Sequence, residues 1–328
     1  MRITKALEEY CNQHKKRQIG SINLSADGTL LAIVLNSRVE LYDLSTKVLL
    51  DSIPCRVQAT VIRQDNEWIA LHGEHATKLY HVPQRKVVKT LRTGHVFAPG
   101  IFYQNSYLYP AHFKELEENA PLSVTMHKDD SYIYGISLDN MQQEVWYCNR
   151  GNNAILQQIT AHGDAIYLSF LVHADNRLVS ELCRLLPANG EKPVKSCRLP
   201  LTGLGSLACS NRTGLAYFVT QEPGRGGDCV LYSYDIEKEE KKKLCRLEGM
   251  PEPTMLRCQG RYLYLSYAQT VRVVDLLNLA NWQALSFPFL FWLFPCDNEG
   301  YVSVLAENGT LLHIESAEKT TQPKSAGG

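Results

Sequence analysis

Apolar and polar positions alternate along this chain in short runs, and the first fifty residues set a unit that the rest repeats. After Gly20, Ser21-Ile22-Asn23-Leu24 alternates and ends in the turn Ser25-Ala26-Asp27-Gly28. The continuous apolar run Leu30-Leu31-Ala32-Ile33-Val34-Leu35 follows, and then a polar break at Asn36-Ser37-Arg38. Val39-Glu40-Leu41-Tyr42-Asp43-Leu44 comes next, and after Ser45-Thr46-Lys47 the unit closes with Val48-Leu49-Leu50-Asp51-Ser52-Ile53. Asp-Gly supplies a tight turn, and β-branched and aromatic residues suit a pleated surface, so the pattern predicts four short strands joined by hairpins. The second strand is apolar on both faces, which fits a sheet covered on both sides.

The unit recurs. Trp68-Ile69-Ala70-Leu71, Lys78-Leu79-Tyr80-His81-Val82 and Val87-Val88-Lys89-Thr90-Leu91 repeat the order strand, strand, polar turn, strand. Aligning the third strands at Tyr42, Tyr80, Tyr147, Leu185, Tyr234, Val274 and His313 gives steps of 38, 67, 38, 49, 40 and 39 residues. A period near forty is the mark of a propeller, in which four-stranded blades stack around an axis. The expected fold is therefore all-β, a single propeller of seven blades. Eight is the alternative, because residues 97–120 inside the 67-residue step read either as an extra blade or as an insertion. The last unit supplies only three strands, and Arg2-Ile3-Thr4-Lys5-Ala6-Leu7 offers the fourth, so pairing of the N- and C-terminal strands would close the ring and remove its exposed edges. Residues 4–12 also read as a short helix. The domain expected is 1–316, with 1–19 as closing strand and basic linker and 317–328 as a disordered tail.

Tyr42-Asp43, Tyr234-Asp235 and Val274-Asp275 stand where WD40-repeat proteins carry their Trp-Asp dipeptide, and Ser25-Ala26-Asp27-Gly28 resembles that family's turn. The chain resembles the WD40 family over residues 20–315, with degenerate motifs: no true Trp-Asp occurs and Gly94-His95 is the sole Gly-His pair. Tyr80-His81 and Tyr147-Cys148 lack the aspartate. The resemblance implies a binding scaffold and puts the family's Asp–His network in doubt here.

Lys plus Arg and Asp plus Glu number 34 each, so no overall field draws nucleic acid or an anionic membrane, and neither is an expected partner. Ten scattered cysteines form no C-x-x-C pair and lie beside apolar strand residues, as free buried thiols do. The N-terminus lacks the apolar core of a signal peptide. These features predict a cytoplasmic protein.

His72-Gly73-Glu74-His75, with His81 six residues on, is the one histidine cluster; zinc would suit it, but the spacing falls on a turn between strands and not on an H-E-x-x-H helix. A polar turn is the plainer reading. The run Phe289-Leu290-Phe291-Trp292-Leu293-Phe294 is too short to span a membrane and fits an inner strand. No nucleophile elbow, phosphate loop or dinucleotide fingerprint appears, and no cofactor is expected. The leading expectation is a non-catalytic platform for a protein or peptide, since binding residues concentrate on loops held by a stiff scaffold. Three loops would carry it: His72, Glu74 and His75 in the first, Tyr103, Tyr107 and Glu115 in the second, Arg225 and Asp228 in the third. Two rivals remain: a metal-dependent propeller hydrolase whose His75, His162, Asp164 and His173 converge on the axis, and a lipid-binding propeller using basic loops and residues 289–294.

Overall fold

The computed structural model describes residues 2–4, 19–94, 98–114, 129–149, 154–174, 177–186, 195–201, 206–221, 228–247, 249–280, 282–286, 291–295, 301–306 and 311–315. Among them the strands hydrogen-bond into seven four-stranded antiparallel sheets. Six are consecutive in sequence, spanning 19–54, 59–92, 101–149, 155–199, 207–247 and 255–286; the seventh joins Phe291–Pro295, Tyr301–Ala306 and Leu311–Glu315 to Arg2–Thr4. In that last pairing Ile3 lies opposite Ile314 and Thr4 opposite His313.

The strands fall close to where the pattern places them: Ile19–Leu24, Leu30–Leu35, Arg38–Asp43 and Val48–Pro54 make the first sheet. Burial follows hydrophobicity across it. Every residue of Leu30–Leu35 is buried, whereas the last strand, Val48–Pro54, is largely exposed. The second sheet repeats this gradient from Trp68–His72 to Lys86–Arg92. Continuous apolarity thus marks a strand sandwiched between neighbouring sheets, and polarity marks the outer edge.

The first six sheets pack in sequence, each on the next. Leu41 and Ile53 meet Ile69, Leu71 and Tyr80; Leu79 and Leu91 meet Tyr107 and Tyr109; Ile133 meets Phe170; Leu199 meets Phe218; Leu231 meets Leu256 and Leu263. The strand Ile19–Leu24 also contacts Phe291–Pro295 and Tyr301–Ala306, so the first sheet meets the seventh. Side chains stitch one inner strand to the next. Ser21 Oγ donates to the Gln58 carbonyl (3.0 Å), Asn23 Nδ2 to that of Thr60 (2.8 Å), and Gln158 both donates to the Cys209 carbonyl (3.1 Å) and accepts from its N–H (2.8 Å). Inner-strand backbone groups that no strand covers are satisfied in this way.

The third sheet corrects the periodic count. It consists of Ile101–Tyr103, Ser106–Lys114, Asp129–Ser137 and Gln143–Asn149, so residues 101–114 are its first two strands and Tyr147 lies on its fourth, not its third. The connection between Lys114 and Asp129 is longer than its counterparts, which shifted the alignment by one strand. The structural equivalent of Tyr42 and Tyr80 is Tyr134: a register shift precedes a tyrosine at Leu41/Tyr42, Leu79/Tyr80, Ile133/Tyr134 and Leu231/Tyr232. Residues 5–18 and 316–328, which hold the basic linker and the tail, lie outside the described residues, as do Phe289 and Leu290; Phe291–Pro295 is the first strand of its sheet.

Candidate binding surfaces at the two ends of the sheets

The hairpins within each sheet turn at two ends. At one end, the turn between Trp68–His72 and Ala76–His81 presents the histidine cluster. Gly73 N–H donates to the Ala76 carbonyl (2.9 Å), and a Cβ at Gly73 would sit 3.0 Å from that oxygen and 3.1 Å from the Arg56 carbonyl. A side chain there would need those backbone oxygens to give by a few tenths of an ångström, so the turn is close-fitting at Gly73; Glu74 and His75, which follow it, are exposed. They approach each other at 3.9 Å, both about 60% exposed, a contact too solvated to add much stability. His72 points inward instead, buried, with Nδ1 3.3 Å from Thr77 Oγ1.

Strand geometry sets His72 and His81 apart. His81 pairs with Trp68 across the hairpin and packs against it with the ring planes tilted by 58° (4.6 Å between centroids), while His72 pairs with Thr77 at the strand's other end. Four residues of strand separate the two, about 13 Å at the usual rise. No group of three metal-ligating side chains occurs among the described residues. The rival axial set fails for a similar reason: His75 lies at one end of the sheets, His162 and Asp164 at the other, and the side chain of His173 is outside the description.

Of the second candidate loop, Tyr107 is fully buried, its hydroxyl accepting from Gly100 N–H (3.1 Å), and Tyr103 packs edge-on against Trp146 (6.0 Å) with little surface left. Both are core residues and present nothing to a partner. Tyrosine is ambiguous in a sequence because its ring suits a core and its hydroxyl a surface. Asp228 is half-buried; Glu115 and Arg225 lie outside the described residues.

At the opposite end the turns are joined to one another, which the sequence alone did not reveal. Asn66 Nδ2 donates to Asp27 Oδ2 (2.9 Å) and to Thr29 Oγ1 (3.0 Å); Arg63 Nη2 donates to Asn105 Oδ1 (3.2 Å). His162 Nδ1 lies 3.0 Å from the Asn211 carbonyl, and Gly260 N–H donates to Asn211 Oδ1 (3.2 Å). Carboxylates in these turns act as clamps. Partial burial pushes the Asp27 carboxyl upward, but hydrogen bonds from Ser25, Thr29 and Asn66 outweigh it and hold it well below the usual range. Asp43, Asp235 and Asp275, at the Trp-Asp positions, each accept backbone N–H groups two residues on: Ser45 (2.8 Å), Glu237 (2.9 Å) and Leu277 (3.0 Å). These are Asx turns, and they explain the aspartate without a histidine network. The turn Ser25-Ala26-Asp27-Gly28 was visible, but its contact with Asn66 emerges only once the sheets are side by side.

No protein-family model and no curated protein sequence matches the chain. Solved structures do. The chain superposes on hydrazine synthase of Kuenenia stuttgartiensis with a TM-score of 0.65 and 10% identity, covering 92% of this chain and 96% of that one. For the β-propeller domain of Cps50 (Swd1) from Myceliophteria thermophila the TM-score is 0.61 at 9% identity, with 91% and 97% covered. For the Pan2 WD40 domain of Neurospora crassa it is 0.57 at 10% identity, with 94% and 92% covered. Likeness at this identity speaks to fold alone. The four-stranded antiparallel sheets and these neighbours together give the chain the β-propeller fold of WD40-like domains.

Proposed function

We propose that the chain is a non-catalytic interaction platform: a seven-bladed propeller, closed by its N- and C-terminal strands, that holds a protein or peptide partner against its loops. One observation carries the reading. Carboxylates of four turns, Asp27, Asp43, Asp235 and Asp275, are engaged in fixing backbone and neighbouring side chains, so the chemistry-bearing groups there build a rigid rim and do not converge on a reacting point. A rim ordered before binding loses little entropy when a partner arrives, which is what a platform needs. Among the described residues of the candidate loops, Glu74 and His75 are the exposed members.

A cytoplasmic setting belongs to the same proposal. Burial raises the thiols of Cys55, Cys183 and Cys209 above their ordinary range, so they stay protonated and unreactive, as suits a reducing compartment. No helix of the described residues is long and apolar enough to cross a membrane.

The test is affinity capture from native cell lysate by the purified protein and by a Glu74→Ala/His75→Ala variant, with metals assayed in both preparations. A stoichiometric protein partner that the variant captures at least fivefold less well is the expected result. A bound divalent ion without any partner would overturn the platform and favour a channel-centred enzyme.

A further inference from the structure

Charge balances over the whole chain but not along it. Residues 75–114 contain no aspartate or glutamate and six cations, Lys78, Arg85, Lys86, Lys89, Arg92 and Lys114. Five of them fall on the outer hairpin of the second sheet, formed by Ala76–His81 and Lys86–Arg92. Arg85, Lys86, Lys89 and Arg92 are exposed, and among the described residues none of the four forms an ion pair.

Lys86–Arg92 is the last strand of its sheet and pairs on one side only, with Ala76–His81, so its other edge is a row of peptide groups without a ladder partner. Lysines on an edge strand ordinarily guard against pairing with another copy. Guarding alone would treat the outer strands alike, and they are not alike. Val48–Pro54 carries Asp51 and no cation, and Gln143–Asn149 carries Glu144. On Lys195–Leu199 both cations are paired, Lys195 with Glu239 and Arg198 with Glu181. Glu240–Leu247 is also cationic, with Lys241 over the Tyr232 ring (3.9 Å) and Lys242, Lys243 and Arg246 beside Glu240, but it shows no exposed large apolar side chain. The edge at Lys86–Arg92 alone among these combines uncompensated positive charge with an exposed apolar side chain, Val87.

We propose that Lys86–Arg92 is a docking edge for an extended acidic segment of a protein partner, which adds to the second sheet as a fifth strand and sets its carboxylates against Lys86, Lys89 and Arg92. Main-chain pairing supplies the affinity of such an addition and side chains supply the choice of partner. Seven strand residues span about 20 Å, the length of a six- to seven-residue acidic segment. The inference rests on the platform reading and names a class of partner for it.

The probe is a fluorescein-labelled peptide, Glu-Val-Glu-Val-Glu-Val-Glu, titrated with the full chain and read by anisotropy. The wild type should bind it, and Lys86→Glu/Lys89→Glu/Arg92→Glu, checked for an unchanged circular dichroism spectrum, should bind at least tenfold more weakly. Methylating alternate peptide nitrogens keeps the charges and removes strand donors, and should weaken binding at least tenfold as well. No binding by the wild type, or equal binding of the methylated peptide, overturns the proposal; the latter would mean simple polyanion attraction. A partner captured equally by the charge-reversed variant would also dismiss this edge while leaving the platform standing.

Discussion

Glycine reports most directly on how tightly single residues are fitted. A Cβ at Gly135 would fall 2.1 Å from Trp146 Nε1, whereas at Gly163 it would meet nothing within 4 Å and only the positive φ of 56° resists it. Gly135→Ala should therefore cost about 2 kcal/mol by forcing the indole aside, and Gly163→Ala about 1 kcal/mol by backbone strain. Urea midpoints would rank them, and tryptophan emission should shift only in the first. Asp275 receives both Nε and Nη2 of Arg261 at 2.6 Å, which holds its carboxyl below the ordinary range. Asp275→Asn should cost about 2 kcal/mol, less than a fully buried pair because Arg261 keeps some solvent. At the alkaline end, burial pushes Tyr267 and Cys183 up to about 12. Raised values mean that the folded state holds these protons more tightly. Their stabilisation is complete below about pH 9 and is lost as pH rises toward 12, so the urea midpoint should fall between pH 8 and pH 11. Residues of this kind are poorly legible in sequence: Tyr107 read as a surface candidate and is core, since nothing local reveals what packs across from it.

Elements were far more legible, because strand identity depends on alternation and turn chemistry within ten residues. Leu30–Leu35 is predicted and observed with the same bounds. The slip came at the third sheet, where a long connection broke the period and no local signal separates a third strand from a fourth. Turn geometry explains another recurrence. Lys47, Arg85 and Glu239 occupy the same place after the third strand with φ of 59°, 49° and 56°, each a left-handed residue that is not glycine. Lys47→Gly relieves that strain, offset partly by a looser unfolded chain, and should raise stability by about 0.5 kcal/mol; calorimetry showing a lower melting temperature would contradict it. The register shift before Tyr42, Tyr80, Tyr134 and Tyr232 gives these rings a common seat. From that seat the Tyr80 hydroxyl donates to Asp51 of the neighbouring sheet. Tyr80→Phe leaves a partly buried carboxylate without its donor and should cost about 2 kcal/mol.

For the whole molecule, the succession of four-stranded sheets could be anticipated from the period, while the union of turns at one end could not: it joins residues such as Asn66 and Asp27, 39 apart in sequence, through the packing of one sheet on the next. The uncompensated cations of residues 78–92 were hidden in a chain of zero net charge. Both features bear on function only if the sheets form one closed frame, since a platform needs its loops held at fixed separations. The pairing of Arg2–Thr4 with Leu311–Glu315 is the joint on which that frame depends. The most direct test is an Ile3→Cys/Ile314→Cys variant, oxidised and resolved on a non-reducing gel with peptide mapping. A closed ring predicts a monomeric cross-link between these two positions and a higher melting temperature than the reduced form; an uncross-linked chain, or dimers joined through the same cysteines, would contradict it.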